Sequence, residues 1–153
     1  MSPTPEERVS ELAEKYGAGR ESILQILTDI NRELSYIPAE AIKAVARTTG
    51  VSNAEVYGVI SFYSFLSTTP RGKHIVRLCS TISCRMSGAP DILKAVSDEL
   101  GIKPGETTPD GRITLETTSC IGLCDQSPAM LVNDTPYTGL TPDSARGIIA
   151  GLE

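Results

Sequence analysis

The four cysteines of this chain form two close pairs, and this spacing constrains its fold more than any other sequence feature. Cys79 and Cys84 enclose four residues, Cys120 and Cys124 enclose three, and 35 residues separate the two pairs. Both pairs lie in stretches rich in Gly, Ser and Thr, LCSTISCRMSGAP and TTSCIGLCDQSPAM. The pattern predicts a fold that brings four thiolates to one place, where they hold a metal centre.

Composition and charge argue against nucleic acid as a partner. The chain has 153 residues and a formal net charge of −5. Residues 1–70 carry six Lys or Arg against nine Asp or Glu, and residues 71–153 carry eight against ten. The absence of a basic cluster argues against nucleic acid as the main partner. Tryptophan is absent and aromatic residues make up 5% of the chain, so a platform for stacking bases is not expected either.

A cytoplasmic location is predicted from the absence of export and membrane signals. No apolar run reaches the roughly 18 residues needed to span a bilayer, so direct membrane insertion is not expected. The N-terminal stretch MSPTPEERVSELAEKYG is acidic and lacks the apolar segment of a secretory signal. Disulfides are rare in the cytoplasm, which favours metal or redox chemistry for the cysteines.

Residues 1–66 predict an N-terminal helical region. Thr4-Pro5-Glu6-Glu7 and Ser52 with Glu55 are capping boxes, and Pro38 can open a helix between them. Apolar residues recur at helical spacing in four segments: Val9, Leu12, Ala13 and Tyr16; Ile23, Leu27, Ile30 and Leu34; Ile42, Val45 and Ala46; Val56, Val59, Ile60 and Tyr63. The last segment, SNAEVYGVISFYSFL, has strand-like content but is interpreted as a helix. Its aromatic residues fit either the core alone or the core plus a partner surface.

Residues 74–153 predict a small α/β domain, and STTPRGK (67–73) marks its boundary. The predicted order is strand, helix, strand, strand, helix. The strands are KHIVRL, RITLETT with Ile113, Leu115 and Thr117 on one face, and AMLVN; the helices run from Ser87 to Leu100 and onward from a cap at Thr141. Each cysteine pair follows the end of a predicted strand. Neighbouring strands of one sheet can therefore place the two cysteine loops side by side.

Two kinds of metal centre suit the cysteine spacing. A [2Fe–2S] cluster takes two thiolates on each iron, which assigns Cys79 and Cys84 to one iron and Cys120 and Cys124 to the other. Gly88 and Gly122 lie beside the pairs, where backbone N–H groups can approach the sulfurs closely. A structural zinc site also uses four cysteines in two pairs, so a zinc-binding assembly module is the alternative. No C-x-x-C is present, which makes a thioredoxin-type dithiol the weakest interpretation.

The remaining candidates for chemistry are few. His74 is the only histidine, so a Rieske-type site, which needs two, is excluded. Its position at the start of a strand favours a surface or strand-end residue over a proton-coupled role for His74. The sequence has neither G-x-G-x-x-G nor G-x-x-x-x-G-K-[ST], so no site for NAD or flavin is evident. The chain is therefore not expected to be a catalyst on its own.

Several stretches of the chain carry a resemblance to a known family. They are YIPAEAI at 36–42, VYGVISFYSF at 56–65, CSTISC at 79–84 with GAPDIL at 88–93, GETTPDGRITLE at 105–116 and CIGLCDQSPAM at 120–130. The chain resembles the thioredoxin-like [2Fe–2S] ferredoxin subunits, the E-type subunits of NADH dehydrogenase. Related subunits occur in NAD-linked hydrogenases and formate dehydrogenases.

The resemblance implies a fold, a cofactor and a partner. It implies an N-terminal helical bundle (1–66) followed by a thioredoxin-like domain (74–153), an α/β (α+β) architecture. It implies that Cys79, Cys84, Cys120 and Cys124 ligate one [2Fe–2S] cluster. It also implies electron transfer with a flavoprotein subunit that binds FMN and NAD(H) inside a multi-subunit NAD(P)-linked oxidoreductase, which can be electron-bifurcating.

The sequence departs from the family beside the cysteines. Members often have a small residue before the second cysteine and His after it, whereas this chain has Ser83 and Arg85. Asp125 follows the last cysteine where a small residue is common. None of these residues is a ligand, but Arg85 and Asp125 are expected to place opposite charges near the site and to affect its reduction potential.

Overall fold

The computed structural model describes residues 3–152 and shows a protein of mixed helices and strands. The chain divides into two compact units, Met1–Pro70 and Arg71–Glu153. Helices make up the first unit, and a four-stranded sheet with helices makes up the second. The predicted α+β architecture, with its N-terminal helices, is therefore confirmed. The predicted domain bounds, 1–66 for the helical region and 74–153 for the thioredoxin-like domain, stay predictions.

Four helices form the first unit, and their bounds follow the signals in the sequence. They are α1 (Pro5–Tyr16), α2 (Ile23–Leu34), α3 (Ala39–Thr49) and α4 (Asn53–Phe62), with a 3₁₀ turn at Arg20–Ser22. Both predicted capping boxes are present, at Thr4 and at Ser52, and each satisfies backbone N–H groups at a helix start. Within residues 3–152, none of the helices combines the length and the apolar character that crossing a bilayer requires.

The core of the first unit agrees with the helical periodicity except at two places. Val9, Ile30 and Val45 are among its fully buried side chains. Leu34 is 45% exposed, because it ends α2 and the following Ser35 turns the backbone into the left-handed region. The fourth helix ends at Phe62 rather than continuing through residue 66. The last residues of the predicted helix therefore belong to the turn that follows.

The second unit is built on a sheet with the strand order β2-β1-β3-β4. Its strands are β1 (His74–Cys79), β2 (Ile113–Thr118), β3 (Met130–Val132) and β4 (Thr135–Tyr137). The strand β1 pairs parallel with β2 and antiparallel with β3, and β3 pairs antiparallel with β4. The short edge strand β4 was not predicted, because TPY begins with polar Thr and carries a proline that cannot donate to a ladder.

The described part of the second unit also contains three α-helices, α5 (Ile82–Met86), α6 (Ala89–Leu100) and α7 (Pro142–Ala150), and a 3₁₀ turn at Cys124–Gln126. The cap of α7 at Thr141 is confirmed. The helix α5, five residues between the first cysteine and Gly88, has no signal in the periodicity and was not predicted. Ile92 and Val96 of α6 and Ile149 of α7 lie in the same core as the central strand β1.

Partly buried ion pairs hold β1 and β2 together. Arg77 and Glu116 face each other across the parallel pair, and Arg77 Nε lies 3.1 Å from a Glu116 oxygen. Arg71 Nε approaches the other oxygen of Glu116 at 2.7 Å. On β2, Ile113 and Leu115 are buried as predicted, but Thr117 is exposed because the strand is leaving the core.

Candidate metal centre

The parallel pairing of β1 with β2 brings the two cysteine loops to one edge of the sheet. Cys79 is the last residue of β1 and lies opposite Thr118, the last residue of β2. Cys120 follows only two residues later. Parallel strands end at the same edge, so the loops that follow β1 and β2 start side by side. The predicted neighbourhood of the two loops is confirmed.

The protein covers the two pairs to very different degrees. Cys79 and Cys84 are each 1% exposed and belong to the core of the second unit. Cys120 and Cys124 are exposed. All four are free thiols. One pair therefore lies under the protein surface, and the other faces solvent.

The first loop (79–84) places its thiols with a tight turn and a short helix. Thr81 is the N-cap of α5, and its carbonyl accepts the Arg85 N–H at 2.9 Å. Its hydroxyl oxygen lies 3.1 Å from Cys79 Sγ. Cys84 lies within α5, with its side chain buried. Ile82 and Met86 on the same helix are exposed apolar residues.

The second loop (120–124) wraps closely around its own thiols. Cys120 Sγ and Cys124 Sγ are 3.2 Å apart. The N–H of Gly122 points at Cys120 Sγ at 3.4 Å, and Gly122 has a φ of 81° that favours glycine. The expected approach of a backbone N–H to a sulfur is thus confirmed at Gly122. At Gly88 it is wrong, since that N–H donates to the Arg85 carbonyl.

Each pair contains one thiol with a lowered pKa and one with a raised pKa. Burial raises the pKa of Cys79, but hydrogen bonds from Thr81, Cys84 and the Ile121 N–H outweigh it, so the pKa is lowered overall. Burial is also the largest effect on Cys84, and there it raises the pKa despite the Ala129 N–H. Each pair can therefore offer one thiolate before the other loses its proton.

The exposed pair also contains one thiol with a lowered pKa and one with a raised pKa, but here hydrogen bonds and not burial are the largest cause. The Gly122 N–H and the Cys124 thiol lower the pKa of Cys120. The hydrogen bond to Cys120 and the nearby charge of Cys120 raise the pKa of Cys124. Cys79 also acts electrostatically on both Cys120 and Cys124, so the two pairs lie close enough to influence each other's ionisation.

The donor set suits a thiolate-ligated metal centre with two metal ions. Two sulfur pairs can each ligate one iron, and thiolates are the usual ligands of iron–sulfur clusters. Within residues 3–152, no three His, Cys, Asp or Glu side chains are placed to hold one metal ion together.

Other residues singled out in the sequence lie away from the thiols or on the surface. His74 begins β1, about 17 Å along the strand from Cys79 at about 3.3 Å per residue. Arg85 and Asp125 are both exposed, each directly after a cysteine. The structure therefore agrees with the strand-end interpretation of His74.

Sequence reasoning missed Thr81, the polar side chain that contacts Cys79 Sγ. A threonine before a short helix is usually interpreted as a helix cap. The available signal was its position two residues after a cysteine, where a side chain can turn back onto the sulfur. The contributions of the Ile121 and Ala129 N–H groups have no signal in the sequence, because any residue supplies an N–H.

Comparison with known proteins identifies the family. Residues 9–153 match the family described as thioredoxin-like [2Fe-2S] ferredoxin. The chain belongs to this family. Its description names a [2Fe–2S] cluster, the cofactor to which the donor set also points.

Among its relatives are subunits of NADH-quinone oxidoreductases. NADH-quinone oxidoreductase subunit 2 of Thermus thermophilus is 37% identical over 134 residues, covering 87% of this chain and 74% of the relative. The E-type subunit of NADH-quinone oxidoreductase from Escherichia coli strain K12 is 33% identical over 144 residues, covering 94% of this chain and 87% of the relative. The resemblance to E-type subunits is thus confirmed.

A solved structure shares the fold at lower sequence identity. A crystal structure of NAD+-reducing [NiFe]-hydrogenase in the air-oxidized state matches 82% of this chain with a TM-score of 0.72 and 24% identity. This chain covers 22% of that hydrogenase chain, so it corresponds to about a fifth of its length.

Proposed function

We propose that this protein holds one [2Fe–2S] cluster through Cys79, Cys84, Cys120 and Cys124. The observation that carries the proposal is the meeting of two thiol pairs at one sheet edge, in a chain of a [2Fe–2S] ferredoxin family. The cluster, when bound, supplies one-electron oxidation and reduction. The chain contributes the thiolates, the burial of one pair and N–H donors to the sulfurs.

We infer that the protein serves as an electron-transfer subunit of a multi-subunit NAD(P)-linked oxidoreductase. Support comes from relatives named as subunits of NADH-quinone oxidoreductases and from the shared fold of an NAD+-reducing hydrogenase. The expected partner is a flavoprotein subunit that binds FMN and NAD(H). A flavin can split a hydride into single electrons, a step for which this chain has no evident site. Bifurcation and a cytoplasmic location stay predictions.

The aromatic patch at the end of α4 is the proposed docking surface for that partner. It consists of Phe62, Tyr63 and Phe65. Phe62 is 79% exposed and Phe65 is 39% exposed, so these aromatic side chains are available for a partner surface. Tyr63 makes edge-to-face contacts with Phe62 and Phe65, at centroid distances of 5.0 and 5.9 Å. Exposed aromatic clusters of this kind are typical of protein interfaces.

Metal analysis tests the cluster against the zinc alternative. Protein purified without oxygen is expected to be brown-red and to contain about two iron and about two acid-labile sulfide per chain. Reduction is expected to produce one S = 1/2 EPR signal. A colourless protein that retains zinc after attempted iron–sulfur reconstitution contradicts the proposal and favours the assembly module.

Reduction by NADH tests the division of labour between chains. The isolated, cluster-loaded protein is expected to keep its visible absorption when NADH is added. Bleaching is expected only after the flavoprotein partner joins. Rapid bleaching by NADH in the flavin-free, partner-free protein contradicts the role of electron relay.

Point variants test the docking surface without disturbing the cluster. Phe62→Ser is expected to weaken partner binding at least about tenfold, because an exposed aromatic anchor is lost. Leu34→Ser removes an exposed apolar side chain elsewhere in the first unit and serves as the control. Equal binding by the two variants in a pull-down assay argues against the aromatic patch.

A further inference from the structure

Thr81 occupies a helix-capping position but uses its hydroxyl for another purpose. It is the N-cap of α5, where a threonine side chain ordinarily accepts a backbone N–H of the first turn. No such bond is made by this side chain. Its hydroxyl oxygen instead lies 3.1 Å from Cys79 Sγ.

The direction of the contact follows from the state of the sulfur. When Cys79 carries its proton, either atom can be the donor. A metal-bound thiolate has no proton, so only the Thr81 hydroxyl can donate when Cys79 is a ligand. Hydrogen bonds with an ionised partner are stronger than neutral ones.

Thr81 also lies close to the second cysteine pair. Hydrogen bonding from its side chain contributes to the lowered pKa of Cys120, and both its hydroxyl and its N–H lower the pKa of Cys79. The side chain therefore influences one thiol of each pair, and its direct contact is with Cys79 Sγ at 3.1 Å.

Neighbouring hydroxyl groups are engaged with carbonyl oxygens. Ser80 follows Cys79 directly, and its hydroxyl donates to the Thr118 carbonyl at 3.0 Å. The Ser127 hydroxyl donates to the Cys124 carbonyl at 2.7 Å, and hydrogen bonding from its side chain also opposes the raised pKa of Cys84. Ser80 therefore fastens its loop, whereas Thr81 turns its hydroxyl to Cys79 Sγ.

We propose that Thr81 is a positioning residue that donates a hydrogen bond to the Cys79 thiolate and thereby raises the reduction potential of the metal centre. The inference rests on the proposed [2Fe–2S] function. Adding one electron makes the sulfurs more negative, so a donated hydrogen bond stabilises the reduced state more than the oxidised state. Removing the hydroxyl therefore lowers the potential.

Three variants of the full chain, loaded with the cluster, test the inference by potentiometric titration followed by EPR. Thr81→Val keeps the branched shape and removes the hydroxyl. It is expected to change the reduction equilibrium by about tenfold toward the oxidised state, which equals about 59 mV for a one-electron couple. Thr81→Ser keeps the hydroxyl and is expected to stay within about threefold of the unaltered protein. Ser80→Ala is the matched control and is expected to leave the potential unchanged.

The outcomes separate this inference from the proposed function. An unchanged potential in Thr81→Val, or an equal shift in Thr81→Ser, overturns the role of the hydroxyl while the cluster itself stands. If Thr81→Val does not take up the cluster, Thr81→Ala is measured against Thr81→Ser with the same criteria. Failure of the unaltered protein to bind iron and sulfide refutes the proposed function instead.

Discussion

The two cysteine loops bring the same kind of ligand to one sheet edge, but from opposite environments. The first loop buries Cys79 and Cys84 in the core, and the second exposes Cys120 and Cys124. Burial holds the first pair in place through packing. The second pair relies on its own backbone, above all on the Gly122 N–H at 3.4 Å from Cys120 Sγ. Packing and local turn geometry are thus two routes to a similar pair of sulfurs.

This difference has consequences for electron transfer. A charge near solvent is stabilised by water, whereas a buried charge depends on the hydrogen bonds around it. The exposed loop is the side from which a redox partner can approach the sulfurs. The buried loop is the side on which the protein can adjust their electrostatics, and Thr81 lies there.

The largest expected effect is the loss of the cluster when any one cysteine is replaced by alanine, and it is the same for both loops. Cys79→Ala, Cys84→Ala, Cys120→Ala and Cys124→Ala are each expected to abolish or strongly impair the cluster, because each removes one of four bonds. Iron content and visible absorption after reconstitution measure the loss. A normal cluster in any one variant shows that the cysteine concerned is not a ligand.

Alkylation of the metal-free protein tests the difference in exposure between the two cysteine pairs. Thiolates react and thiols do not, so the exposed Cys120 with its lowered pKa is expected to react at least about tenfold faster at pH 7 than the buried Cys84. Cys124 is exposed but has a raised pKa, so its rate is expected to rise steeply as pH increases through that pKa. Mass spectrometry of iodoacetamide-treated peptides gives the order. Equal rates for Cys84 and Cys120 contradict the difference in burial.

Serine variants are expected to reveal a smaller difference between the two loops, in the amount of cluster that each variant retains. A serine oxygen can ligate iron, but a buried hydroxyl loses its hydration and an exposed one does not. Cys120→Ser and Cys124→Ser are therefore expected to retain about threefold more cluster than Cys79→Ser and Cys84→Ser. Iron and sulfide analysis measures the retained cluster. A higher content in the Cys79 and Cys84 variants would indicate that solvent access weakens the cluster more than burial does.

The smallest expected effect concerns the two glycines beside the loops. Gly88 and Gly122 have positive φ values of 102° and 81°, and a Cβ at either position meets open space. Alanine at each is expected to cost about 1 kcal/mol of unfolding free energy through backbone strain alone. Only Gly122→Ala is expected to alter the cluster's visible spectrum. An equal spectral change in Gly88→Ala indicates a general disturbance of the fold.

Secondary structure was predictable where local signals agreed with one another. The capping boxes at Thr4 and Ser52 and the cap at Thr141 marked helix starts correctly. Short elements were not predictable. The helix α5 has five residues and the strand β4 has three, so neither is long enough to show a hydrophobic period. Contacts with the rest of the unit stabilise both elements.

The spacing of the cysteines determined the candidate ligands. The capping and apolar patterns determined the N-terminal helices and the order of strands and helices that follows them. These features are local, so the sequence by itself displays them. Only the tertiary structure decided that Cys79 and Cys84 are buried, that Cys120 and Cys124 are exposed, and that Thr81 turns to a sulfur instead of capping its helix. Burial depends on the parallel pairing of β1 with β2, two strands more than 30 residues apart in the chain. Hydrogen-bond partners depend on distances that arise only when those strands meet.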